Sequence, residues 1–187
     1  MTDFVLLSDK YKKDADALLL ETGLIEDLKK YGKVNIQGSY AGNVMLSGDI
    51  DIHVSRANPY SAEEAFNILK DLYLKNKFRS YFIKGDWYDK RIGNEYPNGH
   101  YLGLKHRFHD ENWKVDIWFV STEDFEERKK RFLDVADTAL TTEQRELILQ
   151  MKKYRNDNKL NVSSQQIYEA VLKKGERTTD WLKSTDK

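Results

Sequence analysis

Residues 33–54 read KVNIQGSYAGNVMLSGDIDIHV. Two short runs with apolar alternation flank a Gly-Ser pair and a polar loop, which is the pattern of strand, turn, loop, strand. Side chains two apart on a strand share a face, so Asp49 and Asp51 point the same way, with Cβ atoms roughly 6–7 Å apart. Ile50, Ile52 and Val54 point the other way, toward a core. Two carboxylates on one face of so apolar a strand repel each other, and burying either is costly unless a cation or a proton neutralises it. A divalent metal ion is the usual solution. At Gly38 the backbone can approach a ligand closely, and Ser39 adds a hydroxyl. Backbone N–H groups at such a turn make a cradle for phosphate. A phosphate cradle followed by a carboxylate pair suggests that the segment binds a metal together with a nucleotide.

Holding two metal ions takes a third carboxylate. Asp116 offers it, in the run WKVDIWFV at residues 113–120, flanked by Val115 and Ile117 on the opposite face. Asp110 and Glu111 are weaker candidates because they fall in a polar turn. Together, Gly38-Ser39, Asp49-Ile50-Asp51 and the isolated Asp116 resemble the polymerase-beta-type nucleotidyltransferase superfamily, in its small, minimal members. The resemblance covers about residues 34–120. It departs in two places. Gly42-Asn43 stands where many small members carry Arg-Gly, and Gly48 stands where a Ser often precedes the first Asp.

The resemblance implies an enzyme: a magnesium-dependent nucleotidyltransferase with metal ligands Asp49, Asp51 and Asp116. It implies two ions, one on the triphosphate through Asp49 and Asp51, the other touching all three acids and activating an acceptor hydroxyl. It implies that Gly38 and Ser39 hold the β and γ phosphates. All-oxygen ligands favour Mg2+ or Mn2+ over zinc. A triphosphate also needs cationic side chains. The basic residues nearest in chain order are Lys84, Lys90, Arg91, Lys105 and Arg107, of which Arg91 and Lys105 are the candidates. The substrate is then an NTP, with ATP as the default, and the acceptor a small molecule or a protein hydroxyl. The competing expectation is a non-catalytic nucleotide- or partner-binding module that keeps the fold.

Each candidate has a plainer explanation. Asp49 and Asp51 fit two solvated acids on an edge strand, and Asp116 fits a cross-strand ion pair with Lys105 or Lys114. His53 shares the face of Asp51 and is expected either to line the site or to be a hydrogen-bonded bystander. Trp87, in a Gly- and Asn-rich loop, is a candidate for stacking on a base.

The 31 basic and 31 acidic residues of this 187-residue chain cancel. No global positive field argues for a long nucleic-acid track, so nucleic acid is not the expected partner. There is no cysteine, hence no thiolate nucleophile and no Cys-bound zinc. The first residues, MTDFVLLSDKYKK, lack the basic start of a signal peptide, and no apolar run reaches spanning length. The expected location is the cytoplasm.

The rest of the chain supplies cover for the sheet. Apolar residues from Ser8 to Tyr31 follow helical spacing, with a break at Gly23 and a stop at Gly32. Ser61 with Glu64 forms a capping box for a helix ending near Asn76. A strand over Arg79–Lys84 follows, then a loop, Lys84–His100, that reads as a hairpin tip or a flap. Strands over Tyr101–Arg107 and Trp113–Val120 pair antiparallel. Ser121 with Asp124, Thr141 with Gln144 and Ser163 with Gln166 mark three further helix starts. The first helix is expected to run to about Asp134 and the last to end at Gly175, with a final turn over Thr179–Leu182. The predicted class is α/β (α+β): a mixed, mainly antiparallel sheet of about five strands flanked by helices. Residues 1–120 form the nucleotidyltransferase-like unit and 121–187 a helical C-terminal extension packed on it.

Overall fold

The computed structural model describes residues 3–84 and 97–184. The strands are β1 (Lys33–Gln37), β2 (Gly48–Arg56), β3 (Ser80–Lys84), β4 (Gly99–Phe108) and β5 (Glu111–Ser121). They form one sheet in the order β1-β2-β5-β4-β3. Only β2 and β5 run parallel; the other three pairs are antiparallel. The class is the expected one, a mixed and mostly antiparallel sheet flanked by helices.

The two faces of the sheet follow from the period-two pattern. Ile50, Ile52 and Val54 of β2 are fully buried together with Val115, Ile117 and Phe119 of β5. They pack on Leu18 of α1 (Asp3–Thr22), Leu28 of α2 (Leu24–Leu28) and Ile68 of α4 (Ala62–Leu74). Burying each such aliphatic side chain is worth about 1.5–3 kcal/mol, enough to fix the register that turns the acids to the other face. Gly23, at φ +67, breaks α1 from α2 as expected. The Ser61–Glu64 capping box is present, and α4 ends at Leu74, two residues short of the predicted end.

The Gly38-Ser39 pair does not form a simple turn. It opens a one-turn helix, α3 (Gly38–Ala41), entered at Gly38 in the left-handed region with φ +67. The loop after α3 is pinned from outside. Arg145 Nε donates to the Asn43 carbonyl at 2.8 Å, and the buried Lys152 Nζ donates to the Val44 carbonyl at 2.7 Å.

Both pinning residues belong to α6 (Thr142–Asp157), which with α7 (Ser164–Leu172) starts at the expected capping box. Val44 joins Ile148, Met151, Ile167 and Val171 in a second apolar cluster, so the C-terminal helices are built onto the α3 loop. Helix α5 (Thr122–Arg131) is capped by Ser121 but stops short of Asp134. Phe132 is extended, and Asp134 caps a 3-10 turn at Val135–Asp137 instead. Helix α7 ends at Leu172, before Gly175, and α8 (Asp180–Ser184) is the predicted last turn. Among the described residues, no helix is long and apolar enough to cross a membrane.

Candidate metal centre

The parallel pairing of β2 with β5 brings the acids together. Asp51 lies directly opposite Asp116 in the register, and Asp49 lies opposite Lys114. One carboxylate oxygen from each of Asp49, Asp51 and Asp116 lies within 4.8 Å of the other two. This cluster could hold a metal ion. The Asp49 Oδ1 atom is buried and has no hydrogen-bond partner among the described residues. A buried carboxylate oxygen without a hydrogen bond is costly and calls for a cation; here Lys114 Nζ stands 3.9 Å from it. The donor set is all carboxylate oxygen, which suits a hard divalent cation.

Electrostatics agree with the crowding. Burial pushes the Asp51 carboxyl up to about 7, and the neighbouring charges of Asp49 and Asp116 add to the effect. Burial also raises Asp49, partly opposed by the Lys114 ammonium. Asp116 is the best served of the three. The Tyr101 hydroxyl donates to its Oδ1 at 2.6 Å, and Lys114 Nζ donates to its Oδ2 at 2.5 Å. The ion pair with Lys114 is therefore present, but it lies within β5, two residues apart, rather than across strands, and it stands alongside the cluster rather than in place of it. Burial and the Asp116 hydrogen bond keep the Tyr101 hydroxyl protonated well beyond its ordinary range.

Gly38 packs directly against this centre, where a Cβ would overlap Asp51 Oδ2. Its amide is already engaged. It donates to Asp134 Oδ1 at 3.2 Å, and the same oxygen accepts from Ala136 N at 2.9 Å. The N–H that the sequence reading reserved for phosphate thus holds a carboxylate of the chain itself. Ser39 is the second residue of α3 and half-buried.

A cavity of about 360 Å³ opens beside the acids. Asp51 and Asp116 line it from the sheet, Arg128 and Lys129 from α5, and Tyr168 from α7. His53 lines it too and is not the hydrogen-bonded bystander that was the stronger expectation; its ring is tilted against Phe125 at 5.6 Å. Among the described residues, neither buried His53 ring nitrogen has a hydrogen-bond partner. Burial and then the Arg128 charge push its pKa down to about 3, so the ring is neutral.

The two predicted triphosphate cations fare differently. Arg91, with Lys90, Trp87 and most of the predicted flap, lies outside the described residues. Lys105 is exposed on β4, with Nζ 5.5 Å from the Phe82 ring centre, and is not among the cavity-lining residues. Asp110 pairs with Arg107 in the exposed β4–β5 turn, away from the cluster. Arg128, Lys129 and Asp134 also border the cavity, and no short sequence pattern marks them as site residues. The basic run Arg128–Arg131 at the end of α5 is visible in the chain, but its approach to the cavity depends on how α5 crosses β2 and β5. Asp134 carried no signal, because its partner Gly38 is 96 positions away.

The chain matches no protein-family model and no curated protein.

Proposed function

We propose that the protein is a divalent-metal-dependent nucleotidyltransferase that moves a nucleoside monophosphate from an NTP to a hydroxyl of a small-molecule or protein acceptor. The observation that carries this reading is the convergence of Asp49, Asp51 and Asp116 across the parallel β2–β5 pair. The cavity beside them supports it, with carboxylates on one wall and Arg128 and Lys129 on another. A polyanion with its own divalent cation needs both signs of charge in one site.

Asp49, Asp51 and Asp116 would hold Mg2+ or Mn2+, which would polarise the α phosphate and lower the pKa of the acceptor hydroxyl. Arg128 and Lys129 would meet the charge of the triphosphate. Gly38 and Ser39 would take phosphate oxygens once Asp134 releases the Gly38 amide. The acceptor oxygen forms a bond to the α phosphorus, the bond from that phosphorus to the bridging oxygen breaks, and pyrophosphate leaves. The hydroxyl proton passes to Asp116.

Lys114 already gives the acids a cation, and Asp134 already gives the Gly38 amide an anion. A centre so nearly self-satisfied fits a non-catalytic module that keeps the fold. Melting curves of the metal-free protein test the nucleotide site, and consumption of NTP with release of pyrophosphate separates the transferase from a module that only binds nucleotide. Magnesium alone should shift the melting temperature little, because Mg2+ keeps its waters and draws ligands from substrate phosphates. Magnesium with a saturating triphosphate, at about 100 times its Kd, adds about 2.7 kcal/mol, or roughly 5–10 °C. No shift with any of the four triphosphates favours the non-catalytic module.

A further inference from the structure

We propose that Lys114 is a built-in counter-ion of the carboxylate cluster, and that a divalent cation enters only by displacing it. The inference rests on the metal-site reading above, but concerns a residue that reading does not use.

Lys114 stands on β5 opposite Asp49 and two residues before Asp116, on the same face as both. Its ammonium is 2.5 Å from Asp116 Oδ2 and 3.9 Å from Asp49 Oδ1, so it bridges the two strands at the mouth of the cluster. Asp116 Oδ1 is taken by the Tyr101 hydroxyl. The one Asp116 oxygen without a hydroxyl partner is therefore the one that Lys114 holds. A divalent ion on that oxygen would sit about 2.0–2.1 Å from it. An ammonium against the same oxygen, and turned toward Asp49, competes for the position by both volume and charge. The lysine stem is flexible, and the side chain is 45% exposed, so it can swing out toward solvent without unpacking the core. The resting protein thus keeps its crowded acids partly neutralised, and the metal must be attractive enough to exchange for the lysine.

The competition predicts an effect opposite in sign to damage. Free Mn2+ is followed by electron paramagnetic resonance in titrations of wild type, Lys114→Met and Lys114→Arg, each alone and with a non-hydrolysable triphosphate. Lys114→Met removes the competing charge and should bind Mn2+ roughly twofold to fivefold more tightly, the scale of one part-exposed ion pair. Lys114→Arg keeps the charge and should stay near wild type. The metal-free Lys114→Met protein should also melt at a lower temperature than wild type, because the acids have lost their counter-charge. Equal or weaker Mn2+ binding by Lys114→Met overturns the proposal while leaving the metal site standing. Absence of Mn2+ binding by all three proteins, even with triphosphate, overturns the metal site as well. A measurement on wild type alone guards against a variant that folds poorly. The Lys114 ammonium resonance of 15N-labelled protein should move on addition of Mg2+, and an unmoved signal at saturating Mg2+ overturns the exchange.

Discussion

Replacing Asp51 with asparagine is expected to abolish transfer and, without metal, to stabilise the protein above neutral pH. Asp51 is the most crowded of the three acids, and its carboxyl is pushed up to about 7 in the folded chain from an ordinary 3.8. The folded state therefore holds a proton that the unfolded state has already released. The stability contributed by that proton is fully present below about pH 4 and is lost as the pH rises through 7. Each unit of separation is about 1.4 kcal/mol. Asparagine has the same shape and no charge to desolvate. Metal-free melting of the variant should exceed that of wild type at pH 8, and the gap should narrow steadily toward pH 4. A melting temperature that collapses at pH 8 would mean that the carboxylate is a structural partner rather than a ligand in waiting.

Asp116→Asn should separate chemistry from binding. Asp51 and Asp49 keep the cation that accompanies the triphosphate, so triphosphate affinity should stay within about tenfold, or 1.4 kcal/mol. Turnover should fall by at least about 100-fold, the lower end for loss of a positioned base. The amide oxygen can still accept the Tyr101 hydroxyl, so packing of the sheet face is spared. If Asp116 serves only as the ion-pair partner of Lys114, the variant loses at most about 1 kcal/mol of stability and keeps its turnover. Binding and turnover measured on the one variant decide between these outcomes.

The three carboxylates of the candidate cluster were legible in the sequence because the face each one takes is set locally, although their meeting depends on the pairing of β2 with β5. Asp49 and Asp51 share a face by the period of a strand, and Asp116 shares theirs because Val115 and Ile117 are committed to the core. The helix starts at Ser61, Thr141 and Ser163 were legible for the same reason, since a capping box is complete within four residues. The partners of the centre were not. Lys114 was one of two candidate ion-pair partners for Asp116, and only the register of β5 against β2 places its ammonium between Asp116 and Asp49. Asp134 reaches Gly38 because α5 ends at Arg131 and the chain turns back, an outcome of tertiary packing that no short pattern encodes. Gly38-Ser39 looked like a turn because Gly and Ser are turn residues. The α6 clamps on Asn43 and Val44 hold the segment that follows α3, and those contacts span more than 100 positions.

The central claim is that Asp49, Asp51 and Asp116 form a metal centre for a nucleotide. Crystals soaked with Mn2+ and a non-hydrolysable triphosphate test it most directly, through the anomalous signal of manganese. Two manganese peaks should appear in contact with the three aspartates, with Lys114 Nζ moved off Asp116 Oδ2. Bound triphosphate with no manganese at these carboxylates, or a site with Lys114 still in place and neither ligand present, would contradict it.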